Sequence, residues 1–147
     1  MTLKWLMIVV TALALLIGAY LLYMSIIVNP RTVTEIQTNP QGERARIVML
    51  MTFPDGRQIP MNYLREGNQV FAGADGRWWR AFVNGGSPVS MLIRGETVSG
   101  HAVVILDDPV HTHEIFARLR PTAPKWLPDW LNGKLVEVTL DAVEVGQ

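Results

Sequence analysis

The chain has 147 residues, a formal net charge of zero and no cysteine. Without cysteine there is neither a disulfide scaffold nor a thiolate metal site, and the neutral balance argues against a general nucleic-acid binder. About 115 residues follow an apolar N-terminal segment, which is enough for one compact domain and too few for two.

The apolar segment runs from Trp5 to Val28 without a charged residue. As a helix it would reach roughly 36 Å, enough to cross a hydrocarbon layer of about 30 Å. Tyr20 and Tyr23 lie toward its far end, as is typical of interfacial aromatic residues. A cleaved signal peptide is the competing interpretation, but its apolar region would run only about 7–15 residues before a small-x-small site. The pattern favours a transmembrane anchor.

The pair Asn29-Pro30 predicts the end of this helix, because the residue before a proline is disfavoured in the α region. We therefore predict an anchor over residues 1–30 and a globular domain over residues 31–147. Lys4 precedes the segment, whereas three arginines follow it: Arg31, Arg44 and Arg46. The positive-inside rule then favours a single-pass protein of the cell membrane with a cytoplasmic domain.

Short runs of strand-forming residues separated by turn signals fill the domain. The predicted strands cover residues 44–53, 58–64, 69–73, 88–93, 97–106 and 135–145. A change of period over 76–83 predicts one short helix, and Asp108 before Pro109 predicts a second, capped helix that ends near Leu119. The segment 125–131 reads as a loop or short helix with two buried tryptophans, Trp126 and Trp130. These elements predict a mainly β fold, a small closed barrel of six strands with two short helices.

Arginine dominates the middle of the domain, where five arginines between Arg57 and Arg94 face only two acids. Such a basic stretch suits an anionic ligand, and Arg57, Arg77 and Arg80 are candidates for a phosphate clamp because guanidinium groups match phosphate oxygens. The alternative is that they are independent surface residues.

The sequence gives less support to a metal site or to hydrolase chemistry. His111 and His113 are two residues apart on the second predicted helix, so their side chains diverge and do not suit a shared metal ion. Ser87, Ser90 and Ser99 have no histidine at a recognisable spacing, so hydrolase chemistry is not supported.

Three phrases of the sequence, in order, resemble the deazaflavin-dependent nitroreductase family of the FMN-binding split-barrel superfamily. They are MLMTFPDGRQIPMNYLREGNQVFAGA, then GRWWRAFVNGGSPVSMLIRG, then the acid-capped helix with the final strand, spanning about residues 45–142. The resemblance implies a six-stranded split β-barrel that binds a deazaflavin coenzyme or FMN and passes a hydride to quinones, nitroaromatics or other acceptors. In such proteins the cofactor carries the redox chemistry and the protein orients it.

The resemblance also implies which residues bind the cofactor. The phosphate side would be held by Arg57, Arg77 and Arg80, and the ring would be lined by Asn62, Ala74, Trp78 and Trp79. At least one of the two tryptophans is expected in the core. Asn62 alternates with Met61 and Tyr63, so the alternative is that it faces solvent.

Two functions stay open, because the loop between the first two strands is shorter than in the family and Arg57 is its only cation. One is a membrane-anchored oxidoreductase that uses a deazaflavin or flavin cofactor to reduce a lipophilic acceptor such as a quinone or nitro compound. The other is a cofactor-free split barrel that serves as a membrane-tethered binding or assembly module. The expected partners are the lipid bilayer, a lipophilic acceptor and, by resemblance, a second copy of the chain, with no nucleic acid.

Overall fold

The computed structural model describes residues 2–142, which form a long N-terminal helix followed by a β-barrel. The α-helices are α1 (Leu3–Tyr23), α2 (Asn29–Thr38), α3 (Glu43–Ile47) and α4 (Pro109–Leu119). The strands are β1 (Val48–Thr52), β2 (Gln58–Glu66), β3 (Gln69–Ala74), β4 (Ser87–Ile93), β5 (Glu96–Ile105) and β6 (Lys134–Leu140). Two 3₁₀ helices cover Arg77–Phe82 and Asp129–Asn132.

The N-terminal helix does not end at Asn29-Pro30, so that prediction is wrong. A π-helical turn over Met24–Val28 joins α1 to α2, and the backbone amide of Asn29 bonds to the carbonyl of Met24. Pro30 then occupies the first turn of α2, where a missing amide donor is tolerated. The helical run Leu3–Thr38 therefore passes the predicted boundary, and it is long and apolar enough to span a membrane.

The six strands close into one antiparallel barrel in the order β1-β2-β3-β6-β5-β4. Closure pairs each of these six strands on both sides, so the barrel formed by residues 48–140 has no free edge. The prediction of a six-stranded barrel with short helices behind a long apolar helix is confirmed. The first strand starts later than expected, because Glu43–Ile47 is helical. The last strand ends at Leu140, and the predicted extension over 143–145 lies outside the described residues.

Along each strand every second side chain points into the barrel, and these side chains fill its interior. Met49, Met51 and Met91 are fully buried there, and flexible methionine side chains suit such an irregular interior. Two smaller clusters lie outside the barrel wall. On one side α4 packs against Phe71 and Leu135. On another, Ile36 of α2 packs against residues of α3 and β1.

The strand pairing defines two ends of the barrel. At one end Thr52 pairs with Gln58 and Ala74 pairs with Lys134; we call it the 3₁₀ end, because the 3₁₀ helix Arg77–Phe82 follows β3 there. At the other end the β2–β3 and β4–β5 turns lie together, and we call it the hairpin end.

The prediction of two buried tryptophans in the segment 125–131 is wrong. Trp126 and Trp130 are 79% and 77% exposed. Phe116 and Leu135, on either side of this segment in the chain, fill the space beneath α4 instead.

Tyr63 joins α3 to the barrel through a hydrogen bond of its hydroxyl. Removing that hydroxyl in Tyr63→Phe should lower the unfolding free energy by about 1 kcal/mol. The Tyr63 hydroxyl donates to the carbonyl of Ala45 at 3.2 Å, and burial raises the pKa of the Tyr63 phenol above its ordinary value. The folded state therefore holds this proton more tightly than the unfolded state. That stabilisation is present below about pH 10 and is lost as the pH rises through the folded-state pKa.

The check is urea unfolding of the wild-type chain and Tyr63→Phe in detergent micelles, at neutral pH and above about pH 10. We expect the stability gap between the two proteins to narrow at alkaline pH. A gap that stays constant would contradict the raised pKa.

Candidate functional site

The 3₁₀ helix closes one end of the barrel through aromatic packing. Phe82, 1% exposed, stacks on Phe53 with 5.5 Å between ring centroids. The Trp78 ring meets both phenyl rings edge-on, at 5.8 Å and 6.0 Å. Trp78 and Trp79 are both half-buried against the main core, so the fully buried aromatic residue of this helix is Phe82. The helix thus presents two partly accessible indole rings at the 3₁₀ end.

Arg57 lies at the same end but already has an acidic partner. Its guanidinium sits 5.2 Å from the centre of the Phe53 ring and donates to Asp55 at 2.6 Å. The other Asp55 oxygen accepts from the backbone amide of Arg57 at 3.0 Å. These bonds from the Arg57 amide and guanidinium lower the pKa of the Asp55 carboxyl. Arg57 is therefore less available to a second anion.

Arg77 and Arg80 differ from Arg57 in this respect. Both are exposed, and neither forms an ion pair with any residue between 2 and 142. The guanidinium of Arg80 lies 5.6 Å from the centre of the Trp79 ring. Two cations without a counter-charge in this part of the chain therefore flank the two half-buried indoles.

The structure brings together five of the seven predicted site residues. We call these the arginine–tryptophan group: Arg57, Arg77, Trp78, Trp79 and Arg80. Ala74 is buried at the end of β3 and leads into the loop that carries four of them, all but Arg57. Asn62 does not join the group. It is exposed on the outer face of β2, because its neighbours Met61 and Tyr63 pack against the interior.

Arg120, which the sequence did not single out, orders the loop in front of this group. One guanidinium nitrogen donates to both carboxylate oxygens of Asp75, at 2.9 Å and 3.0 Å. The other donates to the carbonyl of Asn132 at 3.1 Å, and the plane lies 5.2 Å from the centre of the Phe116 ring. Asp75 precedes Arg77 by two residues, so Arg120 fixes where the loop begins. This pairing joins distant parts of the chain and leaves no local signal in the sequence.

Arg120→Met should lower the unfolding free energy by about 2 kcal/mol, because hydrogen bonds to charged groups contribute more than neutral ones. Only 22% of the Arg120 side chain is exposed. The matched control is Arg118→Met on the same helix, whose ion pair with Glu66 is half exposed on both sides and should contribute at most about 1 kcal/mol. Urea unfolding of both variants in micelles compares them, and equal losses would contradict the role given to Arg120.

The two histidines of α4 have separate partners. His111 is hydrogen-bonded to Glu137 and His113 lies 3.1 Å from Asp129. Their side chains diverge, as their spacing on the helix predicts.

The class that these features define is a closed six-stranded antiparallel barrel, plugged at one end by an aromatic 3₁₀ helix and preceded by a long apolar helix. No protein-family model and no curated protein sequence matches the chain.

Among solved structures, the chain is similar to a Listeria innocua protein described as a candidate pyridoxamine 5'-phosphate oxidase. The TM-score is 0.53 at 13% identity, over 65% of this chain and 84% of that one. More distant matches include an F420 reductase, with a TM-score of 0.43 at 13% identity over 66% and 88% of the two chains. Another is an FMN-binding protein of Syntrophomonas wolfei, with a TM-score of 0.39 at 11% identity over 90% and 99%. The Listeria match shows the fold that this barrel shares, and a shared fold does not by itself define a function.

Proposed function

We propose that this chain is a membrane-anchored oxidoreductase that binds a flavin-type cofactor, a deazaflavin coenzyme or FMN. Its acceptor would be a lipophilic molecule such as a quinone or nitro compound. The observation that carries the proposal is the arginine–tryptophan group at the 3₁₀ end of the barrel. The fold shared with a protein described as a candidate pyridoxamine 5'-phosphate oxidase, and the sequence resemblance to the deazaflavin-dependent nitroreductases, support it by analogy.

The residues of this group fit such a cofactor. Arg77 and Arg80 are exposed cations that match the fork geometry of phosphate oxygens. The half-buried faces of Trp78 and Trp79 offer apolar surface for a ring system. When bound, the cofactor supplies the hydride; the protein holds the phosphate, orients the ring and excludes water. Arg57 would contribute less than the other two arginines, because Asp55 already holds its guanidinium.

The long apolar helix supplies the membrane attachment in this proposal. Its length and composition suit a membrane span, and the arginines that follow it favour a cytoplasmic domain. A tethered barrel would lie beside the bilayer, where lipophilic acceptors concentrate. Pairing of two copies of the chain is part of the same proposal, to be checked by the mass of the particle in lipid nanodiscs.

The second candidate function is a cofactor-free module for binding or assembly at the membrane. The observation that favours it is the closed barrel end, where Phe53, Trp78 and Phe82 fill the space and Asp55 neutralises Arg57. Such a protein would keep the barrel and bind neither FMN nor deazaflavin.

A fluorescence titration of the full chain in nanodiscs separates the two candidates. We expect saturable binding of FMN or deazaflavin, weakened at least about tenfold in the double variant Arg77→Gln plus Arg80→Gln, which corresponds to about 1.4 kcal/mol. The control removes two exposed charges elsewhere, Arg31→Gln plus Arg46→Gln, and should bind as the wild type does. Absence of binding at high micromolar cofactor would overturn the first candidate. Equal binding by both double variants would overturn the assignment of the arginines.

A further inference from the structure

The segment between α4 and β6, residues 120–133, carries two tryptophans that no part of the described chain covers. Trp126 and Trp130 are among the most exposed large apolar residues of the barrel domain. Three further apolar side chains are exposed near the two ends of this connection: Leu106 just after β5, Val110 at the start of α4, and Leu131 next to Trp130. We call these five residues the tryptophan patch. Exposed apolar patches of this kind mark interaction surfaces.

The segment that carries the patch is held in a fixed conformation. The carbonyl of Asn132 accepts a hydrogen bond from Arg120, and Asp129 pairs with His113 at 3.1 Å. Gly133, with a φ of 79°, lies directly against the carbonyl of Ala74. These contacts position Trp130, and the backbone hydrogen bond from Leu127 to the carbonyl of Pro124 at 3.0 Å closes a turn around Trp126.

The patch lies at the 3₁₀ end of the barrel. Lys134, the residue after this segment, pairs with Ala74 at that end. Trp130 and Leu106 also line one small cavity of about 180 Å³, together with the last residue of β5, Ile105.

The N-terminal helix leaves the domain toward the same end. The chain just after α2 is fixed at the hairpin end, where Gln41 and Arg94 exchange hydrogen bonds of 3.3 Å and 3.2 Å. From there back toward the N-terminus, one side of the helix stays covered. The side chains with reduced exposure are Ile36, Val33, Thr32, Val28, Ile27 and Met24.

From Ile36 to Met24 the helix rises about 18 Å. That length is close to the roughly 17 Å of a five-residue strand such as β1. Ile36 and Val33 cluster with Val48 and Leu50, which face outward from β1, so a helix of this length laid along β1 reaches from the hairpin end to the 3₁₀ end. α1, which has no buried residue, continues beyond it.

We propose that the tryptophan patch docks into the headgroup region of the bilayer that α1 spans. This rests on the membrane anchoring given under the proposed function and is independent of the cofactor. Indole rings favour the membrane interface, where an apolar body meets polar surroundings. Lys125, next to Trp126, suits the negative surface of a cytoplasmic leaflet. Docking attaches the barrel at a second point and turns the arginine–tryptophan group toward the membrane surface.

The absence of cysteine allows single-site labelling of the full chain. Spin labels are placed at Leu131→Cys beside the intact tryptophans, at Asn68→Cys at the hairpin end and at Ile8→Cys within α1. In nanodiscs of zwitterionic and anionic lipid, accessibility is measured to oxygen, which enters the bilayer, and to a water-soluble nickel chelate.

We expect the label at Leu131 to be several-fold less accessible to the nickel chelate than the label at Asn68, and the label at Ile8 to lie in lipid. The double variant Trp126→Ser plus Trp130→Ser should return the Leu131 label to the accessibility seen at Asn68. Because both tryptophans are exposed, this variant should unfold at the same urea concentration as the wild type.

Lipid contact at Ile8 combined with water contact at Leu131 would overturn the docking while leaving the anchor intact. Water contact at Ile8 would overturn the anchor and the docking together. A Leu131 label that stays in lipid without the tryptophans would overturn their role. The label accessibilities do not depend on a cofactor. A chain that binds no cofactor could therefore still dock on the membrane, and the two proposals are tested separately.

Discussion

Replacing Phe82 with alanine should lower the unfolding free energy of the barrel by about 3–5 kcal/mol, the usual cost of removing a buried phenyl ring. Phe82 is the most buried of the three aromatic residues that close the 3₁₀ end. It stacks on Phe53, and the Trp78 ring packs edge-on against it. The cavity left behind would also release Trp78 from its position. Urea unfolding of the full chain in nanodiscs, followed by tryptophan fluorescence, measures the loss.

The matched control is Ile47→Ala, which also truncates a large apolar side chain. Ile47 is 54% exposed, so we expect its unfolding free energy to change by no more than about 0.5 kcal/mol. A loss below about 1 kcal/mol for Phe82→Ala would contradict the packing described for the 3₁₀ end.

Gly133→Ala should destabilise the protein by about 3 kcal/mol, through backbone strain and crowding together. Gly133 has a φ of 79° and a ψ of −159°, a region that is essentially restricted to glycine. A Cβ there would overlap the carbonyl oxygen of Ala74. Because this oxygen belongs to the backbone of β3, it cannot move aside without disturbing the pairing with β6.

Gly56→Ala separates the two causes. Gly56 also has a positive φ, 84°, but a Cβ there would meet no atom within 4 Å. We expect a loss of about 1–2 kcal/mol from strain alone. Equal losses at both glycines, measured by the same urea unfolding, would show that crowding against Ala74 contributes nothing.

The fold could be predicted from the sequence where the signals are local. Short runs of strand-forming residues and the turn signals between them predict the six strands, and the number of strands predicts a closed barrel. The helix cap was equally direct, since the Asp108 carboxylate accepts from the backbone amide of His111 at 3.0 Å.

The predictions that failed rest on common local tendencies that do not hold in this fold. Asn29-Pro30 normally ends a helix, but a preceding π-helical turn adjusts the hydrogen bonding so that the helix continues. The size and apolar character of tryptophan predict a buried position for Trp126 and Trp130, but both are exposed, and Phe116 and Leu135 fill the space beneath α4. The segment 125–131 forms no long helix or strand, so it has no periodic pattern that would separate buried from exposed apolar side chains.

Some contacts of the candidate site are local in the sequence and could be predicted, and others join distant parts of the chain and could not. The adjacent residues Arg77 to Arg80 stay together because one short helix carries them, so the sequence could group them. Asp55 as the partner of Arg57 is also local. The bond between Arg120 and Asp75 joins α4 to the loop after β3, and only the folded chain shows it.

The most direct test of the proposed function is oxidation of the reduced cofactor by a quinone dissolved in the bilayer. The full chain is embedded in nanodiscs that contain a lipid-soluble quinone, and reduced FMN or deazaflavin is added without oxygen. Arg77 and Arg80 would hold the phosphate of the cofactor, and the bound reduced cofactor would supply the hydride that, with one proton from water, converts the quinone to the quinol.

We expect the chain to accelerate this oxidation, and Arg77→Gln plus Arg80→Gln to abolish most of the acceleration, whereas Arg31→Gln plus Arg46→Gln does not. Oxidation no faster than in nanodiscs without the protein would contradict the proposed function.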